Sequence, residues 1–182
     1  MDVPHLWGVT KEEIAAGYPC DEVLPVVRGE YLRGITVRAE PAVVFRWLCQ
    51  LKVAPYSFDL LDNLGRRSPR TLTPGAERLE RGQRVMTIFQ LVDFAPDQHL
   101  TLLLDHPRGR LLYGDIAVSY TVHDAPRNGD TRLVVKLCIG GGNTLLHRTR
   151  RGLLAWGDLF MMREQLSNLR KLAEREPRQT GN

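Results

Sequence analysis

Few side chains in this chain could do chemistry, and they are scattered along its 182 residues. Tyr120, His106, Arg33 and the carboxylates Asp59 and Asp62 are candidates for proton transfer, because each can gain or hold a proton beside a substrate. Asp59 and Asp62 stand three apart in a short helical stretch that Ser57 can cap, so they share a face. With Tyr56 and Asn63 they form the densest polar cluster. It reads either as a paired-carboxylate or ligand-gating site, or as a capped and solvated helix start. Asp105-His106 and His123-Asp124 are adjacent pairs at strand ends, whose members point to opposite faces and do not orient each other.

Five histidines (His5, His99, His106, His123, His147) show no HxxxH or HExxH spacing, so no metal is expected from them. Three cysteines, Cys20, Cys49 and Cys138, are far apart and in no CxxC pair. This fits reduced, mostly buried thiols rather than a disulfide framework or a zinc site. Gly140-Gly141-Gly142 followed by His147, Arg148, Arg150 and Arg151 resembles an anion-binding nest but lacks the GK[ST] ending of a phosphate loop. A flexible connector doubling as a lid is the reading taken.

The elements that must position these groups follow from hydrophobic periodicity. Thr10 and Glu13 have capping-box spacing ahead of a short helix that Gly17 and Pro19 end. GEYLRGITVRA alternates as a strand with Tyr31, Arg33, Ile35 and Val37 on one face. Pro41 opens a helix whose buried side is Val44, Trp47, Leu48 and Leu51. A second short helix is expected from Ser57 to Leu64, then a long loop over Arg66 to Arg84.

Four strands joined by short turns fill Arg84 to Gly140. The first has Met86, Ile88, Gln90, Val92 and Phe94 on one face; the next points Leu100, Leu102 and Leu104 inward. Pro107 to Gly109 reads as a turn. Ile116, Val118, Tyr120 and Val122 face in on the third strand, and Leu133, Val135, Leu137 and Ile139 on the fourth. One side of such a sheet is expected to be wet. A helix is expected from Leu153 to Glu174, with Leu153, Trp156, Phe160, Leu166, Leu169 and Ala173 as its stripe and Asp158 as an early acid favoured by the dipole.

The totals narrow the function. At 43% hydrophobic and 25% charged residues the composition is that of a globular domain. No apolar run approaches the roughly 18 residues that span a bilayer, and the start lacks a secretory pattern, so a cytoplasmic protein is expected. The net charge of +4 comes from scattered arginines, and no nucleic-acid partner is expected.

The order β-α-α, antiparallel strands, long α resembles the helix-grip, START-like superfamily. The segments WGVTKEEIAAGYPCDE, FRWLCQL, YSFDLLDNLGRRS, ERGQRV and GDLFMMREQLSNLRKLAER look like its bacterial SRPBCC branch, the polyketide cyclase/dehydrase-like proteins. Where that branch's pattern has PGDE and GD, this chain has Pro19-Cys20-Asp21-Glu22 and Gly82-Gln83. The resemblance implies an α+β helix-grip fold, a curved antiparallel β-sheet wrapped around a long C-terminal α-helix. It divides the chain into an N-terminal extension (1–27), the helix-grip domain (28–176) and a flexible tail (177–182). It also implies a cavity between sheet and helix for a small apolar, aromatic or polyketide-like ligand.

Among the expected pocket residues, Arg33, Gln90 and Tyr120 supply polar groups, and Trp47, Tyr56, Met86, Trp156 and Phe160 supply walls. Met161 and Met162 would add adaptable surface. Tyr120, His106 and Asp59 are the catalytic candidates should the cavity host a cyclase, dehydratase or hydrolase reaction, with no cofactor and no metal. A basic Arg148–Arg151 interaction surface is the third reading.

Overall fold

The computed structural model describes residues 4–57, 68–125, 129–141 and 145–176, with backbone alone for residues 108, 112, 113 and 145–151. The expected helix from Ser57 to Leu64, with Asp59, Asp62 and Asn63, falls outside the described residues except at Ser57. The expected tail falls outside them too.

Seven strands form one sheet: β1 (Leu6–Trp7), β2 (Gly29–Val37), β3 (Arg84–Val85), β4 (Phe89–Ala95), β5 (His99–Leu104), β6 (Ile116–Asp124) and β7 (Thr131–Ile139). Their order is β1-β2-β7-β6-β5-β4-β3; β1 lies parallel to β2 and every other pair is antiparallel. Among the described residues the α-helices are α1 (Lys11–Ala15), α2 (Pro41–Cys49), α3 (Pro107–Tyr113) and α4 (Leu145–Ala173).

One face of the sheet grips α4 and α2. Alternation on β2, β7 and β6 delivers Tyr31, Ile35, Val37, Leu133, Val135, Ile139, Val118 and Val122 to a single core with Trp47, Leu48, Leu51, Leu166 and Leu169. The chain thus has the α+β helix-grip fold.

Several local expectations are corrected. β4 carries a bulge at Val92, where the register jumps between Leu91 and Asp93. The extra residue flips the alternation: Leu91 is fully buried, Phe94 also packs on the core, and Gln90 lies opposite Leu103 on the outer face. Pro107 starts a helix rather than a turn, with His106 as N-cap accepting from Gly109 N at 3.3 Å.

The buried side of α4 is the stripe Ala155, Leu159, Met162, Leu166, Leu169 and Ala173, whereas Leu153, Trp156, Phe160 and Met161 are exposed. The helix begins at Leu145, so Asp158 sits well inside it, far from the dipole's positive end.

The outer face is not wet across its middle. Tyr18, Cys20 and Leu24 from the N-terminal segment cover Leu32, Ala117, Val134 and Cys138, making a second buried layer. The crossing is tight at Gly34, where a Cβ would stand 2.9 Å from Gly8 O. Arg132 then ties the segment down, donating to both Glu13 carboxylate oxygens and to Gly8 O.

Candidate ligand site

Buried polar contacts and a cavity lie between α4 and the elements it packs on. Arg33 projects from β2 toward α4 because it follows the alternation of Tyr31 and Ile35. Its Nη2 donates to Asp158 Oδ2 at 2.8 Å, and its Nη1 to His5 O at 2.6 Å and Leu32 O at 3.0 Å. The Arg33 side chain is 1% exposed and that of Asp158 10%. Burial holds the Asp158 carboxyl up at about 6 despite the guanidinium beside it.

Further along α4, Tyr120 OH donates to Gln165 Oε1 at 2.8 Å, and Gln165 Nε2 donates to Pro55 O at 2.6 Å. Burial pushes the Tyr120 phenol far above its ordinary range. Arg33 and Tyr120 are therefore engaged with α4 rather than aimed at open space. Trp47 meets Tyr56 edge-on, ring centroids 6.2 Å apart, and its Nε1 has no partner among the described residues.

The cavity, about 290 Å³, lies at the C-terminal end of α4. Tyr56 and Leu172 line it, with Ser68, Pro69 and Arg70 from the chain returning past α2. Asn168, Lys171 and Arg175 complete it from the helix and its end. Tyr56 stands at φ 56°, a left-handed conformation that costs a non-glycine residue about 1–3 kcal/mol. The surroundings hold it there: Tyr56 is buried, and its carbonyl accepts from Asn168 Nδ2 at 3.0 Å. The described lining contains three cations and no carboxylate.

Of the ligand-binding residues expected from sequence, Tyr56 alone is in this lining. Arg33, Trp47 and Tyr120 are in the buried layer beneath the sheet. Met86 packs on that layer, its Sδ 3.5 Å from Gln165 Nε2. Gln90 is on the outer face, donating to Gly82 O at 3.2 Å, and Trp156 and Phe160 stack on each other on the exposed side of α4. His106 serves as a helix cap, and Asp59 is outside the described residues.

Sequence reasoning missed Asp158 and Gln165 as inward groups and Asn168, Lys171, Arg70 and Arg175 as lining. A signal existed for the first two: at helical spacing both fall within the apolar stripe that runs from Ala155 to Ala173.

No known family matches the chain, and no curated protein matches it. Solved structures do. A protein of Thermobifida fusca superposes with a TM-score of 0.52 at 14% identity, covering 84% of this chain and 98% of its own. KanY superposes at 0.51 with 16% identity, covering 82% and 99%. The di-domain ARO/CYC StfQ of the steffimycin biosynthetic pathway gives 0.47 at 13% identity, covering 80% of this chain and half of StfQ. At 14% and 16% identity the likeness to the Thermobifida fusca protein and to KanY is one of fold alone. Among the described residues no helix is long and apolar enough to cross a membrane.

Proposed function

We propose that the protein binds or carries a small organic ligand with an aromatic or polyketide-like apolar body and an acidic group. The supporting observation is the cavity at the end of α4, where a strained, buried tyrosine meets three cations. Its volume is near the lower end for small-molecule sites, which run from about 300 Å³ upward. The apolar body would lie on Tyr56, Pro69 and Leu172, and the acid would face Arg70, Lys171 and Arg175.

An enzymatic reading has less support. Tyr120 OH is committed to Gln165 and His106 Nδ1 to the start of α3, so neither is posed at this cavity.

The test pairs native mass spectrometry of freshly purified protein with thermal shifts for matched aromatic acids and amides. Only the native state binds, so acids should raise Tm increasingly with the logarithm of their concentration while amides do so weakly. Lys171→Gln with Arg175→Gln, both at exposed positions, should remove the acid's effect and lower the unliganded Tm only slightly. A panel in which no acid shifts Tm, with no co-purified molecule, overturns the reading.

A further inference from the structure

The second layer contains a group of metal-ligating side chains that chain spacing conceals, because Cys138 lies more than a hundred residues from the adjacent pair Cys20 and Asp21. Cys20, in the 3-10 turn Pro19–Glu22, and Cys138, on the outer face of β7, bring their sulfurs to 3.7 Å. Asp21 Oδ1 lies 3.3 Å from the Cys138 sulfur. The three donor atoms all fall within 4.8 Å of one another.

These separations have a chemical meaning. A tetrahedral zinc with Zn–S near 2.3 Å and Zn–O near 2.0 Å has ligand-to-ligand edges of about 3.8 Å between sulfurs and about 3.5 Å between sulfur and oxygen. The separations of 3.7 and 3.3 Å match two edges of that tetrahedron, and the third, from Cys20 to Asp21, lies within 4.8 Å. A disulfide would instead require the sulfurs to close to about 2.05 Å.

The surroundings suit an ion. Lys136 Nζ sits 2.7 Å from Asp21 Oδ1 and 3.4 Å from Glu30, and the other Asp21 oxygen accepts from Tyr18 N at 2.9 Å. These contacts fix the carboxylate's orientation, the task that outer-sphere partners perform at metal sites. With two thiolates, the Asp21 and Glu30 carboxylates and the Lys136 ammonium, a dication offsets most of the negative charge that the deprotonated group would carry. Leu103, Ala117 and Val134 pack around it and limit solvent access.

We propose that Cys20, Asp21 and Cys138 form a binding site for a thiophilic divalent cation, zinc first, which pins the N-terminal segment to β7. Softness selects zinc over magnesium or calcium, since thiolates disfavour hard cations. Three protein donors leave a fourth position on the Asp21 side, the more open of the three, for water.

Cobalt(II) is the probe, titrated under a non-thiol reductant into metal-free full-length protein. One equivalent should produce a thiolate-to-cobalt charge-transfer band with tetrahedral d–d intensity, and one equivalent of zinc should displace it. Cys20→Ala and Cys138→Ala should each lose the band, while Cys49→Ser, on α2, should keep it. Zinc should raise the wild-type Tm and leave that of Cys20→Ala unmoved. A wild-type protein that gives no band, or a band that survives in folded Cys20→Ala, overturns the proposal. If neither alanine variant folds, the wild-type titration and its zinc displacement decide alone.

Discussion

Two arginine–carboxylate pairs hold opposite faces of one sheet, and they behave differently. On the helix face, Arg33 meets Asp158 with side chains 1% and 10% exposed, and a single carboxylate oxygen makes the contact. On the outer face, Arg132 meets Glu13 with both side chains 16% exposed. Glu13 accepts from Arg132 Nε at 2.6 Å, from Nη2 at 2.9 Å and from Thr10 N at 2.8 Å. Burial is the leading influence in both and pushes each carboxyl up. At Asp158 one donor does not offset it, so the group stays high, at about 6. At Glu13 three donors and the nearby charge win, and its pKa falls below the ordinary value. Deeper burial at Asp158 and the greater number of donors at Glu13 act in the same sense, and together they give the two carboxyls opposite signs.

The inner pair should give the largest effects. Arg33→Met leaves Asp158 buried beside no cation and should cost about 3–5 kcal/mol in denaturant unfolding. Arg33→Met with Asp158→Leu should recover most of that loss, because an apolar pair has no desolvation cost to offset. An equal loss in the double variant would show that the arginine's bonds to His5 O and Leu32 O matter more than its charge partner. The pH dependence has a definite sign. The folded state keeps the Asp158 proton up to about 6, whereas the unfolded chain releases it near 3.8. Stability from this group is complete below about pH 4 and is lost as pH rises toward 6. Asp158→Asn should flatten that slope.

The apolar parts of the two layers come next. Leu166, with no exposed surface at the centre of α4, should cost about 3 kcal/mol on change to Ala. Leu24, 9% exposed at the margin of the outer layer, should cost about 2 kcal/mol. Urea midpoints at matched slope measure both. If Leu24→Ala cost more than Leu166→Ala, the N-terminal segment would have to be as integral to the fold as the gripped helix.

These layers were unequally legible in the sequence. The inner one could be read because β2, β6 and β7 alternate cleanly and α2 presents Val44, Trp47, Leu48 and Leu51 at helical spacing. β4 could not be phased, since a bulge at Val92 leaves no trace in residue type while moving Gln90 to the opposite face. The stripe on α4 was misphased by large residues: Trp156 and Phe160 drew the eye, but Ala155 and Leu159 are the buried neighbours. The outer layer was illegible for a topological reason. Its contacts join the N-terminal segment to β7, and nothing local to Cys20 or Arg132 names the other. The cavity shares that difficulty, because Arg70 and Lys171, a hundred residues apart in sequence, line it together only in the folded chain.

The outer pair should be softer than the inner one and titrate the other way. Arg132→Gln removes both bonds to Glu13 and those to Gly8 O and Thr36, and should cost about 2 kcal/mol. Because the Glu13 pKa is depressed on folding, its contribution is present above the ordinary value of 4.5 and fades as pH falls through the folded value. Protection factors at the amides of residues 10–22, corrected for the intrinsic pH dependence of exchange, should therefore fall on acidification, while the Asp158 contribution is being gained on the other face. An equal fall in protection across both faces would argue that the layers unfold as one unit.

The smallest effect tests whether the outer layer depends on its local helix at all. Thr10 accepts from Glu13 N at 3.2 Å and its own amide donates back to Glu13 Oε2, a complete capping box on a helix of five residues. So short a helix cannot sustain itself by propagation, so the cap and the Glu13–Arg132 contact must carry it. Thr10→Ala should cost about 1 kcal/mol globally. Locally it should do more: Glu13 loses the geometry that lets it meet Arg132, so exchange near Ile14 should rise further than the global change explains. Thr10→Ser, which keeps the oxygen, should restore protection. If Thr10→Ala left exchange at Ile14 unchanged, Arg132 alone would be positioning Glu13, and the outer pair would depend on β7 rather than on the segment it fastens.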